Sequence, residues 1–280
     1  MKRLFFLTTL LALAVGLYGQ NKIKVACVGN SVTYGTRIAD REHDSYPAQL
    51  QSMLGEAYDV RNFGRPSATL ISKGELPYIQ TEEYRQALDF KADRVIIHLG
   101  LNDTDPGCWP KFQDQFIADY HALIDTFRTV NPKAQIWICR MTPIFHPHKR
   151  FQSGTRDWHG QIQQKIEQIA RTYNVGLIDF YEPLHHRIEL FPDALHPNPV
   201  SVTFLSHTGF LNLSPSFLKK KKRSPATAGA DCPIPVASAA PATPICIGPI
   251  NKRSSMIFAI PPLKIQVSPS LGLPAVTKKD

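Results

Sequence analysis

The chain has 280 residues and a formal net charge of +9. Its charge is uneven, because residues 1–198 hold 22 basic and 21 acidic residues whereas residues 199–280 hold ten basic and two acidic ones. A body that is close to neutral gives no support for nucleic-acid binding, which requires a basic surface on the folded part. The length allows one ordinary domain with further segments around it.

The first twenty residues have the pattern of a secretory signal peptide. Lys2 and Arg3 precede an almost wholly apolar run from Leu4 to Leu17, and a small and a polar residue follow it. The run is too short for a typical membrane-spanning helix, and no cysteine ends it to carry a lipid. We therefore expect residues 1–20 to direct export, to the periplasm or outside the cell, and we expect no stable membrane anchor.

Residues 21–198 form the predicted folded domain. Apolar runs predict strands at 23–28, 58–63, 94–99, 134–141 and 175–180, and helical spacing predicts helices at 46–54, 82–90, 112–130 and 155–173. This alternation predicts an α/β fold with a mostly parallel sheet and helices on both faces. The first three strands each end in a polar turn that contains glycine, and such turns meet at one edge of a parallel sheet.

Residues 199–280 have a different composition. They include twelve prolines, an unbroken basic run at 219–223, and a stretch at 224–249 that is rich in alanine, proline, serine and threonine. The apolar residues there follow no sustained helical or strand period. The composition predicts an irregular, disordered tail.

The five cysteines and ten histidines show no metal-binding spacing. Cys27 and Cys139 lie in apolar runs and are predicted to pack in the core, and no cysteine spacing indicates a disulfide. The histidine pairs at 146/148 and 185/186 lack cysteine or carboxylate partners at ligand spacing, so we interpret them as surface or packing residues. We expect no metal and no cofactor.

A serine, an acid and a histidine lie near the two ends of the predicted domain. Ser31 directly follows the first strand, where open α/β sheets place their chemistry, and Asp193 precedes His196 by three residues. Because a serine hydroxyl needs a neighbouring base, this pattern predicts Ser31 as nucleophile, His196 as base and Asp193 as the residue that orients the imidazole. Taken singly, each is also compatible with a turn or a loop.

Acyl transfer through a serine also requires hydrogen-bond donors for the oxyanion. The candidates are the N–H groups of Ser31 and Gly64 and the side-chain amide of Asn102, which all follow predicted strands. Glycine permits close approach of a ligand to the backbone. Alone, Gly64 would be a turn glycine and Asn102 a loop or cap residue.

These residues fall in four short blocks that resemble those of the SGNH (GDSL-type) hydrolases. The blocks are Gly29-Asn30-Ser31-Val32-Thr33, Asn62-Phe63-Gly64, Gly100-Leu101-Asn102-Asp103 and Asp193-Ala194-Leu195-His196-Pro197-Asn198. The resemblance covers about residues 22–198, and Asn30 stands where the family usually shows aspartate. It implies a flavodoxin-like three-layer α/β/α sandwich and metal-free ester hydrolysis through an acyl-enzyme. It also implies a catalytic triad of Ser31, His196 and Asp193, and an oxyanion hole of Ser31, Gly64 and Asn102.

Within that family the sequence is most similar to secreted carbohydrate O-acetylesterases, in particular those that act on sialic acid. The features that carry this similarity are the export signal, the stretch at 100–105 and the strand end at 140–144. The candidate loops are polar and charged, which suits a sugar. We expect an O-acetylated carbohydrate as substrate, sialic acid in particular, with Arg150 or Arg156 available for a sugar carboxylate.

The chain departs from the family directly after Asn198. Members normally continue with a helix that covers the sheet beside the histidine, whereas Pro199 here begins the proline-rich segment. We hypothesise that the reading frame was lost at this point and that a longer esterase was truncated. Two alternatives to an acetylesterase follow: a lysophospholipase or broad acyl-ester hydrolase, and an inactive remnant or sugar-binding protein without the closing helix. The sequence specifies no oligomeric state.

Overall fold

The computed structural model describes residues 22–213, so the predicted signal peptide and residues 214–280 lie outside the described residues. The strands are β1 (Ile23–Gly29), β2 (Tyr58–Gly64), β3 (Arg94–His98), β4 (Gln135–Arg140) and β5 (Gly176–Asp179). The α-helices are α1 (Ser31–Tyr34), α2 (Arg41–Asp44), α3 (Tyr46–Leu54), α4 (Glu82–Asp89), α5 (Trp109–Phe112), α6 (Phe116–Val130), α7 (Thr155–Thr172) and α8 (Pro199–Leu213). Short 3₁₀ helices occur at Tyr78–Gln80, Asn102–Thr104, Gln113–Gln115, Lys149–Ser153 and Ile188–Leu190.

The five strands form one parallel sheet in the order β2-β1-β3-β4-β5. This confirms the predicted α/β fold class. The register places Gly29 of β1 beside Gly64 of β2 on one side and beside His98 of β3 on the other. The carboxyl ends of these three strands therefore stand next to each other, as the polar turns after them predicted.

Helices cover both faces of the sheet. α3 packs on β2 and on α8, and the Ile96 side chain of β3 reaches this layer beside Leu50 and Gly209. Because side chains alternate along a strand, Val95 and Ile97 point to the opposite face. α6 and α7 pack together, and α7 contacts β4 and β5. The result is a three-layer arrangement whose core combines apolar strand residues with aliphatic and aromatic residues from the helices and loops.

Two predicted boundaries need correction. The helix expected over 112–130 begins at Phe116, since a 3₁₀ segment separates it from the short α5. More importantly, the segment after Asn198 is not irregular from its first residue: α8 runs from Pro199 to Leu213. The expectation that the closing helix is missing is therefore wrong. The tail and the hypothesis of a lost frame now concern residues beyond 213, which lie outside the described residues.

α8 forms for recognisable local reasons. Proline is tolerated in the first turn of a helix, where its missing N–H has no intrahelical partner, and Asn198 Oδ1 accepts a hydrogen bond from Ser201 N at 3.0 Å. Val202, Leu205, Ser206, Gly209 and Leu213 are buried at helical spacing. The period is hard to see because apolar residues also occupy the outer side, where Val200 is 59% exposed.

The end of α8 is fixed to the sheet. The buried guanidinium of Arg94, at the start of β3, donates to the main-chain carbonyl of Leu213. It also lies 3.4 Å from the hydroxyl of Tyr58 in β2. A cation at the C-terminus of a helix interacts favourably with the helix dipole. This contact joins the helix that covers the sheet to β2 and β3, the strands on either side of β1.

Candidate active site

Ser31 is held by a tight connection between β1 and α1. Asn30 Oδ1 accepts a hydrogen bond from Val32 N at 3.0 Å and caps α1. Gly29 has no room for a side chain, because a Cβ there would lie 2.1 Å from Thr33 Oγ1 and 2.8 Å from the His98 carbonyl oxygen. The nucleophile candidate thus stands at the end of a buried strand with little freedom to move.

Ser31, His196 and Asp193 form a continuous line of hydrogen bonds. His196 Nε2 lies 3.0 Å from Ser31 Oγ, and His196 Nδ1 lies 2.7 Å from Asp193 Oδ2. An ionised carboxylate can only accept, so Nδ1 carries the proton and Nε2 is left to accept from the serine hydroxyl. The structure therefore brings together three residues that the sequence separates by up to 165 positions.

Asp193 is fixed by its own turn. Its Oδ1 accepts from the N–H groups of Leu195 at 3.1 Å and His196 at 2.7 Å. Ala194, directly after Asp193, has a left-handed φ of 63°. Partial burial acts to raise the pKa of Asp193. The hydrogen bonds from the His196 side chain and backbone outweigh that effect and bring the pKa to about 2. The carboxylate is consequently ionised at neutral pH.

Gly64 and Asn102, the two other candidates for the oxyanion hole, line different cavities. Gly64 N donates to Asn62 Oδ1 at 2.9 Å, and a Cβ on Gly64 would lie 2.2 Å from Tyr34 N. Asn102 Nδ2 donates to the Ala68 carbonyl at 2.9 Å. Gly64 lines a groove of about 700 Å³, whereas Asn102 lines a separate cavity of about 270 Å³. Both lie at carboxyl strand ends, but the Gly64 N–H and one of the two N–H groups of the Asn102 amide already have an acceptor.

Sequence reasoning gave no role in the site to Arg37 or Asp103, and it expected Arg150 to meet a substrate carboxylate rather than a protein group. Arg37 Nε lies 2.6 Å from Asp193 Oδ2, and Arg150 Nη1 donates to Asn102 Oδ1 at 3.2 Å. Asp103 is fully buried, and its carboxylate accepts from Leu70 N at 2.9 Å and Ile71 N at 2.8 Å. Burial raises the pKa of Asp103 to about 6. Each contact joins residues distant in sequence, and only the position of Asp103 beside Asn102 offered a signal.

A buried histidine pair supports the end of β4. His98 Nε2 accepts from Thr142 N at 3.2 Å, and His159 Nε2 donates to the Thr142 carbonyl at 3.0 Å. Burial lowers the pKa of His98 to about 3 and that of His159 to about 4. Both rings are therefore neutral at physiological pH and hold the backbone at Thr142, from which the loop toward Arg150 departs.

His146, His185 and the three cysteines within residues 22–213 have packing roles. His146 lies against the Phe151 ring with centroids 5.7 Å apart, and His185 stacks on Tyr181 at 5.3 Å. Cys27 and Cys139 are buried in the core as predicted, and Cys108 is buried too. Over residues 22–213 there is no group of three or more His, Cys, Asp or Glu placed to hold a metal ion. Nor does any helix in that range have the length and apolar character to cross a membrane.

The chain matches known proteins over the region just described. The model of the GDSL-like Lipase/Acylhydrolase family matches residues 27–200. An acetylxylan esterase from Xylanibacter ruminicola is 33% identical over 200 residues, which are 64% of this chain and 40% of that protein. The chain thus spans well under half the length of this relative.

Solved structures share the fold at low identity. A carbohydrate acetylesterase from Sinorhizobium meliloti has a TM-score of 0.57 at 17% identity and covers 70% of this chain and all of its own. A solved acetyl xylan esterase has a TM-score of 0.53 at 21% identity over 68% of this chain and all of its own. At these identities the likeness concerns the fold alone. The family match spans most of the chain, and the chain belongs to the GDSL-like lipase/acylhydrolase family.

Proposed function

We propose that this protein is a serine esterase that removes acetyl groups from carbohydrates. The observation that carries the proposal is the hydrogen-bonded line Ser31 Oγ–His196–Asp193 at 3.0 and 2.7 Å. A hydroxyl that donates to an imidazole held by an ionised carboxylate is arranged for nucleophilic attack on an acyl carbon. The same family contains acylhydrolases, in agreement with this chemistry.

The reaction follows from the hydrogen bonds. Ser31 Oγ attacks the acetyl carbon while His196 Nε2 takes the hydroxyl proton, and the Asp193 carboxylate stabilises the imidazolium that results. The tetrahedral intermediate collapses as His196 returns the proton to the sugar oxygen, so the alcohol leaves and acetyl-Ser31 remains. Water then attacks this ester with His196 again as base. Acetate leaves, and the serine hydroxyl is restored.

The oxyanion requires donors that are free at the moment of attack. The Ser31 N–H and the second N–H of the Asn102 amide serve this purpose in our proposal. The orientation of the Asn102 side-chain amide is fixed by its two partners. The Arg150 guanidinium can only donate, so it faces Oδ1, and the Ala68 carbonyl can only accept, so it faces Nδ2. Gly64 contributes only if its N–H exchanges Asn62 Oδ1 for the oxyanion.

The substrate class rests on two kinds of support. The Xylanibacter ruminicola relative is named an acetylxylan esterase, and the cavity beside Asn102 is lined largely by polar and charged side chains. A long acyl chain would leave such charged groups desolvated without partners, which argues against a lysophospholipase. Sialic acid is the second candidate, favoured by the Arg150 guanidinium next to Asn102.

An inactive remnant was the alternative that depended on the absence of a closing helix. α8 is present and packs on α3, so that premise no longer holds. The proposal of export still depends on residues 1–20, whose pattern is that of a signal peptide. Fractionation of cells that express the full chain tests it: protein retained in the cytoplasm at full length would contradict export.

The test of function is acetate release by the purified protein from p-nitrophenyl acetate and from acetylated xylo-oligosaccharides. Ser31→Ala is the matched control, because it removes only one oxygen atom. We expect turnover of both substrates that is lost in the control. Turnover that persists in Ser31→Ala, or none from a folded wild-type sample, would contradict the proposal. Preference for lysophospholipid over acetylated sugar would favour the lipase alternative.

A further inference from the structure

The cavity beside Asn102 has the size of a one-ring ligand. Its volume is about 270 Å³, at the small end of ligand pockets, which start on the order of 300 Å³. Polar side chains from three loops surround it: Ser67, Lys73, Glu75, Asn102, Asp105 and Arg150. The loops follow β2, β3 and β4, so they leave the sheet at the same edge as Ser31, which follows β1.

The walls of this cavity are fixed by buried hydrogen bonds. The carboxylate of Asp103 accepts from the N–H groups of Leu70 and Ile71 at 2.9 and 2.8 Å and so fastens the loop after β2 to the loop after β3. Asn102 joins the same two loops through the Ala68 carbonyl at 2.9 Å. A fixed cavity binds a small polar ligand without the entropic cost of ordering its walls.

The charges on the cavity wall balance. Lys73 and Arg150 are cationic and Glu75 and Asp105 are anionic, so the wall has no formal net charge. A ligand with a carboxylate would be attracted by the first pair and repelled by the second. Sugar hydroxyls both donate and accept, and can therefore use both kinds of group.

Lys73 and Glu75 are available to a ligand. Both side chains are exposed, and among residues 22–213 neither forms an ion pair or a side-chain hydrogen bond. By contrast, Asp105 Oδ1 already accepts from Gly107 N at 2.7 Å, and Arg150 is engaged with Asn102 at 3.2 Å. The two residues on the loop after β2 are thus the ones whose hydrogen-bonding groups a sugar can occupy.

We propose that this cavity is the subsite for the sugar ring that bears the acetyl ester, and that it selects an uncharged pyranose over an acidic sugar. The inference rests on the proposed esterase function and deepens it. Asn102 serves the oxyanion at one end of the cavity, while Lys73 donates to and Glu75 accepts from ring hydroxyls. The rest of a polysaccharide chain extends into solvent.

The test compares kcat/KM for three substrates: acetylated methyl β-xylopyranoside, O-acetylated N-acetylneuraminic acid and p-nitrophenyl acetate. The variants are Lys73→Ala and Glu75→Ala. Lys133→Ala and Glu56→Ala are matched controls, because both residues are exposed and lie before β4 and β2, at the opposite edge of the sheet. The informative quantity is the ratio of kcat/KM for the xyloside to that for p-nitrophenyl acetate, which has no sugar ring.

We expect this ratio to fall about ten- to a hundredfold in both variants, as for loss of a hydrogen bond to a charged group, and to stay at the wild-type value in both controls. Equal ratios in all five proteins would overturn the subsite. A wild-type preference for the acidic sugar that increases in Glu75→Ala would overturn its selectivity for an uncharged ring.

Binding provides a readout that does not depend on turnover. Calorimetry of Ser31→Ala with methyl β-xylopyranoside is expected to show binding that weakens when Lys73→Ala is added. If wild-type protein failed to hydrolyse any ester, the proposed function would fail while this titration still tested the cavity. No heat of binding at sugar concentrations up to solubility would overturn the subsite itself.

Discussion

Arg37 Nε lies 2.6 Å from Asp193 Oδ2, the same oxygen that His196 Nδ1 approaches at 2.7 Å. One carboxylate oxygen therefore serves both the imidazole and an exposed guanidinium from the loop after α1. Asp193 Oδ1 is held independently by two backbone N–H groups. Arg37 thus adds an ion pair to the hydrogen bonds that hold Asp193, the residue that orients the base.

Arg37→Gln removes this charge while it keeps most of the side-chain length. Because Arg37 is 62% exposed, its ion pair is screened by water. We expect kcat/KM to fall about two- to fivefold and the difference from wild type to shrink at high salt. Arg85→Gln, which breaks an exposed pair with Glu82 on α4, is the control. A salt-independent loss would contradict the electrostatic explanation.

Asn102→Ala removes the proposed side-chain donor for the oxyanion. Loss of one such donor costs about 10²- to 10³-fold in kcat. Asn131→Ala is a matched control, since Asn131 Nδ2 donates to the Ala92 carbonyl at 3.0 Å in the same way but at the opposite edge of the sheet. The measurement is kcat for Asn102→Ala and for Asn131→Ala with p-nitrophenyl acetate. Equal kcat values for both variants would exclude an oxyanion role.

Asp103 makes the stability of the protein depend on pH. Its pKa is raised from 3.8 to about 6 by burial, so the folded protein binds this proton more tightly than the unfolded chain does. Below about pH 4 this tighter proton binding adds on the order of 3 kcal/mol to the free energy of unfolding. The contribution is lost as the pH rises through about 6.

Asp103→Asn abolishes this titration while it keeps the side-chain shape. Urea unfolding of wild type and variant between about pH 4 and pH 7 measures the difference in their free energies of unfolding. We expect the wild type to lose stability relative to Asp103→Asn as pH rises through this range, because titrations common to both proteins cancel. A difference that does not change with pH would show that Asp103 has an ordinary pKa.

Gly64→Ala tests the close packing of β2 against the end of α1. The new Cβ would lie 2.2 Å from Tyr34 N and 2.7 Å from the Thr33 carbonyl carbon, both main-chain atoms. We expect a loss of about 1–3 kcal/mol in the free energy of unfolding. Gly160→Ala in α7, where a Cβ meets nothing within 4 Å, is expected to be neutral or stabilising. A fully stable Gly64→Ala would contradict the packing.

The sequence predicted those features that depend on short-range patterns. Apolar runs gave the strands, and the turns that end them located Ser31 and Asn102 at one edge of the sheet. The interval between Asp193 and His196 is itself local, since one turn of chain lets the carboxylate reach the imidazole. What could not be predicted lies in contacts between distant segments, such as Arg37 with Asp193.

The missed helix and an unforeseen contact of Gly64 have specific physical causes. α8 was missed because Pro199 and the apolar residues on its outer side obscured a helical period that Val202, Leu205 and Gly209 nonetheless follow. The oxyanion role of Gly64 stays a prediction, and the structure adds that its N–H donates to the side-chain amide oxygen of Asn62, two residues earlier, at 2.9 Å. A local side-chain acceptor of this kind is visible in the sequence only once the backbone conformation is known.

The most direct test of the proposed mechanism is the identification of an acetyl group on Ser31. Wild-type protein is mixed rapidly with p-nitrophenyl acetate, quenched in acid during the first turnovers, and analysed by intact-mass and peptide mass spectrometry. Our account predicts a mass increase of one acetyl group, located on Ser31 and absent from Ser31→Ala. Acetylation of another residue, or p-nitrophenol release by Ser31→Ala at the wild-type rate, would contradict it.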